Sequence, residues 1–220
     1  MNNSITKFLV ILLCFVTVQG CFLKRNVSVV PQARAVSCVP QSKTDTETTE
    51  VFVINRGWRL SFVLPSEEVV EELGWMFDEV HNHPWVELSW GELDEVVSAD
   101  LLPATDGGGL RSDEKFALAK GVAHQPMHTV ENAEVIKVTM RKDSLQQLTL
   151  GVKRGIYQTE TGASSIVYSD PQKLGTLYRG SADEWSGGDA VRWIAQRLKE
   201  GGCQVDISTT RASTVLSALK

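Results

Sequence analysis

Little in this chain invites the commoner enzymatic chemistries. Its 220 residues include only four histidines and four cysteines. No Gly-x-Ser-x-Gly elbow occurs, so serine hydrolase chemistry has no starting point. Gly107-Gly108-Gly109 is followed by Leu110, Arg111 and Ser112 rather than Lys-Ser or Lys-Thr, which excludes a phosphate loop and leaves a solvated turn. Positive charge is also scarce: 22 Lys and Arg stand against 27 Asp and Glu, for a formal charge of −5. That balance argues against a nucleic-acid partner and gives no electrostatic help at an anionic membrane. There is no internal repeat, and nothing after residue 21 is apolar for long enough to span a bilayer.

What is present begins at the N-terminus. Lys7 precedes an apolar run from Phe8 to Val18, too short and wrongly flanked for a spanning helix. The run ends in Val18-Gln19-Gly20-Cys21, which resembles a bacterial lipobox, where cleavage before the cysteine frees its thiol for a lipid. Lipidation at Cys21 would supply the membrane contact, since each buried acyl methylene contributes ~0.8 kcal/mol. Phe22 rather than aspartate follows Cys21. In organisms with two membranes, that pattern implies the outer membrane of the cell envelope, with the domain facing the periplasm. Cys14 leaves with the signal. Cys38 and Cys203 remain in an oxidising compartment, either bridged or as two unpaired thiols, and the sequence leaves both open.

The chain divides into a signal peptide over 1–20, the lipidated cysteine and a flexible tether over 21–50, and one globular domain over 51–220. Ser42 to Glu50 has hardly an apolar residue and offers no stripe to a core. Val51-Phe52-Val53-Ile54 and Leu60 to Leu64 read as a buried hairpin around Asn55-Arg56-Gly57, stopped by Pro65. Ser66 is expected to cap a helix with Val69, Leu73, Met76, Phe77 and Val80 on one face. Trp85 to Trp90 and Glu134 to Met140 alternate as strands. Helices are expected from Asp143 to about Tyr157 and from Ala190 to Leu198, the latter ended by Gly201-Gly202. Strands and helices mix without a clean βαβ repeat, which predicts an α+β fold with a mixed or antiparallel sheet.

Three segments carry a resemblance. They are Gly57-Trp58-Arg59-Leu60-Ser61-Phe62-Val63-Leu64-Pro65, then Val86-Glu87-Leu88-Ser89-Trp90-Gly91-Glu92, and the helix Trp193 to Gly202. Together, and in this order, they resemble a bacterial envelope family of unknown function sometimes labelled urease-associated. Pro126-Met127-His128-Thr129-Val130 is a weaker match. The layout of that family is similar to permuted papain-like folds, whose NlpC-type peptidases and acyltransferases pair an early histidine with a cysteine at a late helix start. The resemblance implies those positions are Arg59 and Ala190 here, with Val191 in place of an adjacent asparagine. Arginine stays protonated and cannot serve as a base, and alanine carries no nucleophile. The cleft the resemblance implies comprises Trp58, Arg59, Glu87, Trp90, His128, Ala190 and Trp193, with an Arg59–Glu87 ion pair plugging it. No catalytic residue and no cofactor is expected.

Two weaker constellations remain. His81-Asn82-His83 with Glu87 and Asp94 has metal-like spacing, weighed against a polar loop stopped by Pro84, and the loop reading is preferred. His124 and His128 are four apart, but Pro126 between them disfavours the helix that would make them co-ligands. Six tryptophans, Trp58, Trp75, Trp85, Trp90, Trp185 and Trp193, read first as core, with a sugar- or acyl-binding cleft as the functional alternative. The expectation is a non-catalytic, membrane-anchored lipoprotein that binds an envelope component or protein partner. Its rival is an enzyme, either a hydrolase or acyltransferase with Cys203 as a shifted nucleophile or a metal-assisted hydrolase using His81 and His83.

Overall fold

Alternation with a period of two sorts the apolar residues of this chain onto the two faces of one sheet. The computed structural model describes residues 34–39, 47–57, 59–74, 81–96, 114–128, 130, 133–156, 158, 165–170, 175–181, 190–208 and 210–219. Among them are the strands β1 (Arg34–Ser37), β2 (Thr48–Asn55), β3 (Leu60–Pro65), β4 (Trp85–Glu92), β5 (Lys115–Val122), β6 (Glu134–Arg141), β7 (Ile166–Asp170) and β8 (Gly175–Arg179). They form one eight-stranded sheet in the order β1-β6-β2-β3-β4-β5-β8-β7. The β1–β6 pair is parallel, and the other neighbours are antiparallel. The helices are α1 (Ser66–Leu73), α2 (Leu93–Val96), α3 (Lys142–Gly155), α4 (Ala190–Glu200) and α5 (Ala212–Ala218). This is the single α+β domain with a mixed sheet that the sequence predicts.

The main core lies on one face. Val51 and Val53 of β2, Leu60, Phe62 and Leu64 of β3, Val86, Leu88 and Trp90 of β4, and Ile136, Val138 and Met140 of β6 meet the apolar sides of α1, α3, α4 and α5 there. The intervening residues point the other way. On this far face Phe52, Ile54, Val63 and Val135 form one small cluster, with Trp85 packed against it. Phe116, Leu118 and Leu177 form another, with Val96 of α2.

Several expectations change. The tether ends earlier than residue 50, because Arg34–Ser37 pairs with Ile136–Thr139 and β2 already begins at Thr48. An edge strand has a single neighbour to satisfy, so it need not show the apolar alternation of a central one. Cys38 and Cys203 are bonded to each other, with Cα atoms 4.7 Å apart, which decides between the two alternatives. Ser66 is not a cap: Pro65 holds the N-cap position without a side-chain bond, and the Ser66 N–H donates to the Pro84 carbonyl at 3.0 Å. The helix follows β3 without a gap, so the extended N-cap position falls to Pro65, whose side chain has no oxygen to cap with. Val69 and Leu73 are buried as expected. Met76, Phe77 and Val80, and the glycine loop around 107–109, lie outside the described residues.

Candidate functional site

The site is built by a turn. Asn55 of β2 pairs with Leu60 of β3, and the Arg56 N–H donates to the Arg59 carbonyl at 2.9 Å, closing the turn between the two strands. Gly57 has φ +83°, the left-handed conformation that such loops demand and that glycine adopts without penalty. Its N–H is taken by the Asn55 Oδ1 at 2.8 Å. A closed hairpin of this kind puts the two flanking residues side by side, so Arg56 and Arg59 both project over the far face.

Between them lies Glu87, from the middle of β4. Arg56 grips its carboxylate with both nitrogens, Nη1 to Oε1 at 2.5 Å and Nη2 to Oε2 at 3.0 Å. The Ser61 hydroxyl donates to Oε1 at 2.8 Å and accepts from Arg56 Nη1 at 3.0 Å. Arg59 Nη2 reaches Oε1 at 3.5 Å, while its Nη1 donates to the Val96 carbonyl at 2.7 Å. The Glu87 side chain is only 12% exposed. Register sets Lys120 of β5 directly opposite it on the other side.

Burial alone would push the Glu87 carboxyl up. The charges of Arg56 and Arg59, with hydrogen bonds from Arg56 and Ser61, outweigh that and hold it below the ordinary carboxylate value. Burial lowers the Arg59 guanidinium, Glu87 resists, and Arg56 adds to the lowering. Arginine stays charged all the same. The cluster therefore holds an ionised acceptor-only carboxylate between two permanent cations. No member of it can take or give a proton near neutrality, so it suits recognition or structure rather than acid–base catalysis.

The expected Arg59–Glu87 pair is present. Trp90, Trp193 and Ala190 of the expected cleft do not join it. Trp90 stacks on Trp193 with ring centroids 5.0 Å apart and planes 5° from parallel, and Trp193 also meets Phe62. Both indoles are buried in the main core, as is Ala190 at the start of α4. Trp90, Trp193 and Ala190 thus belong to the helix side, while Arg59 and Glu87 lie on the far face. The reason is local: Glu87 and Trp90 are three apart on one strand, so they point to opposite faces. Trp58 and Cys21 lie outside the described residues, and only the backbone of His128, in a short 3-10 turn at Pro126–His128, is described. The sequence reading missed Arg56 and Ser61. Arg56 had a usable signal, its position as partner of Arg59 across a glycine turn.

The shifted-nucleophile reading fails because Cys203 is in a disulfide and 3% exposed. For the metal reading, no group of three His, Cys, Asp or Glu among the described residues could hold an ion. His81 and His83 instead line a cavity away from Arg59. No protein-family model, curated protein or solved structure matches this chain.

Proposed function

We propose that this chain is a lipid-anchored protein of the bacterial envelope, a member of the family it resembles, that binds an envelope component or protein partner without catalysis. The observation that carries the reading is the Cys38–Cys203 bond. Such bonds persist in oxidising compartments and are rare in the cytosol, and this one begins shortly after the lipobox-like Val18-Gln19-Gly20-Cys21. The binding surface is the far face around Arg56, Arg59 and Glu87, where guanidiniums and a carboxylate are held in fixed geometry. The finer fold reading, a permuted papain-like arrangement, draws support from α4, whose Trp193 packs on β3 and β4 through Phe62 and Trp90. Arg59 faces away from that helix, so in this reading the ancestral cleft has been dismantled as well as disarmed.

Growth with an alkyne-tagged palmitate tests the anchor. The mature protein is expected to take up the label, fractionate with membranes and accumulate as precursor when the lipoprotein signal peptidase is inhibited. Cys21→Ser abolishes all three. An unlabelled mature protein in the soluble fraction would overturn the reading.

A further inference from the structure

A second site lies at the end of the hairpin away from the arginines. Where β3 gives way to α1, a cavity of about 600 Å³ opens between Thr48 and Glu50 of β2, the first turns of α1, and the segment from His81 to Trp85. Its lining is uneven in chemistry. Glu50, Glu67 and Glu68 supply three carboxylates, His81 and His83 two imidazoles, and Trp85 an indole face backed edge-on by Phe52. Among the described residues, no lysine or arginine lines it.

Two of its polar groups are buried without a partner. Ser66 is only 4% exposed and its hydroxyl makes no hydrogen bond. The Glu68 Oε2 is likewise shielded and unpaired. An unmet buried acceptor is costly, more so when it carries charge, and native proteins keep such groups where a ligand or water satisfies them. Glu50 is already occupied by Lys137 at 2.7 Å, so Glu68 and Glu67 are the carboxylates left for a ligand. Their field already reaches one ammonium, that of Lys142, which is hydrogen-bonded to Glu47.

We propose that this cavity binds an organic ammonium group, with Glu68 and Ser66 receiving its N–H donors and Trp85 covering its alkyl stem. Three carboxylates in a lining with no lysine or arginine among the described residues disfavour an anion. An indole beside them attracts a cation through its ring as well as by contact. A bare metal ion is disfavoured because the carboxylates and imidazoles among the described residues do not converge as a three-ligand set. The site is separate from the Arg56–Glu87 cluster and does not depend on the function proposed for it.

The test uses the full chain in a non-ionic detergent, followed by calorimetry and tryptophan fluorescence. The probes are 1,5-diaminopentane, its neutral counterpart 1,5-pentanediol, glutarate, zinc chloride and a capped Ala-Lys-Ala peptide. The diamine is expected to bind at least about 10-fold more tightly than the diol and to weaken with salt, as a charge-assisted contact requires. Glutarate should not bind. Glu68→Gln should lose about 10-fold and Ser66→Ala about 3-fold of diamine affinity, in line with charged and neutral hydrogen bonds. Tighter binding of the peptide than of the diamine would identify a lysine side chain as the source of the ammonium, and the reverse a free amine. Equal affinity for diol and diamine, binding of glutarate, binding of zinc alone, or no binding by any probe would overturn the proposal. Those outcomes are read on the unaltered protein and survive any misfolding of the variants.

Discussion

The two faces of the sheet are held by different physics. On the helix side, apolar side chains from six strands and four helices among the described residues merge into one core, and the Cys38–Cys203 bond ties the edge strand to the segment after α4. On the far face the apolar surface of the described residues is split into two small clusters, and Ser61 and Glu87 of the central strands β3 and β4 meet Arg56 and Arg59 from the turn between β2 and β3. Burying charge where a hydrophobic patch would serve brings little net stability, because desolvation offsets most of the attraction. A cluster kept there against that cost is the better candidate for function. One face specifies the fold, and the other presents chemistry.

The largest effect expected separates the covalent hold from the ionic one. The disulfide closes a separation of 165 residues, and the chain-entropy relation puts the constraint at about 5 kcal/mol for a loop of that length. Urea unfolding of the Cys38→Ser, Cys203→Ser double variant should show a loss approaching this, and reductant should mimic it in the native chain. A loss under about 1 kcal/mol would mean that β1 is held by its pairing alone.

Next comes the far face. Glu87→Ala leaves two guanidiniums without their shared partner and is expected to cost about 3–5 kcal/mol. Replacing all three charges, Arg56→Met, Arg59→Met and Glu87→Leu, should restore stability to near the starting value or above it. If the triple variant is as damaged as the single one, the cluster contributes to the fold and the contrast between faces collapses. Acid offers a second route. Because the folded Glu87 value lies below the unfolded one, its contribution is complete above about 4.5 and is lost as pH falls through the lower folded value. Unfolding free energies measured from neutrality downward should therefore fall less steeply below that point in Glu87→Gln than in the parent.

A smaller effect tests whether the helix side is as closely packed as it looks. At Gly151 in α3, an added Cβ would lie 2.2 Å from Glu200 Oε2 and 2.6 Å from Arg197 Nη1. Arg197 has no exposed surface, stands 5.5 Å over the Trp193 ring and pairs with Glu200 at 3.3 Å, so it has little room to withdraw. Gly151→Ala should cost about 1–3 kcal/mol by overpacking, even though alanine is the better helix former. A gain in melting temperature would show that α3 and α4 separate easily.

How much of this was legible in the sequence depends on the kind of signal. The hairpin was legible because two β-rich runs flank Asn55-Arg56-Gly57 and end at Pro65, and α4 because its apolar spacing runs into Gly201-Gly202. The edge strand β1 was not, since its four residues show no alternation and its partner β6 lies about a hundred positions downstream. Half of the site was legible. Arg59 and Glu87 were paired through motif order, but the same order drew in Trp90 and Trp193, which face the other way. Strand parity held the correction: 59, 61 and 87 share a side with one another and not with 60, 62 and 90. Arg56 was read for the turn it makes and not for the side chain it presents.

The smallest effect bears on how Glu87 is tuned. Ser61 has no exposed surface, and its hydroxyl both donates to Glu87 and accepts from Arg56. Ser61→Ala removes both of these hydrogen bonds and leaves the bidentate contact of Arg56 with Glu87 standing. It should therefore cost about 1 kcal/mol in urea unfolding while raising the Glu87 titration toward its ordinary value, because one of the contacts favouring the carboxylate is gone. Carbon-detected NMR of the Glu87 carboxyl reads that titration directly. An unmoved titration with a loss of stability would show that the hydroxyl braces Arg56 rather than the carboxylate. In that case the far face is organised around its guanidiniums, and partner binding should fall with Arg56→Lys more than with Glu87→Gln, since lysine cannot reproduce the two-pronged grip.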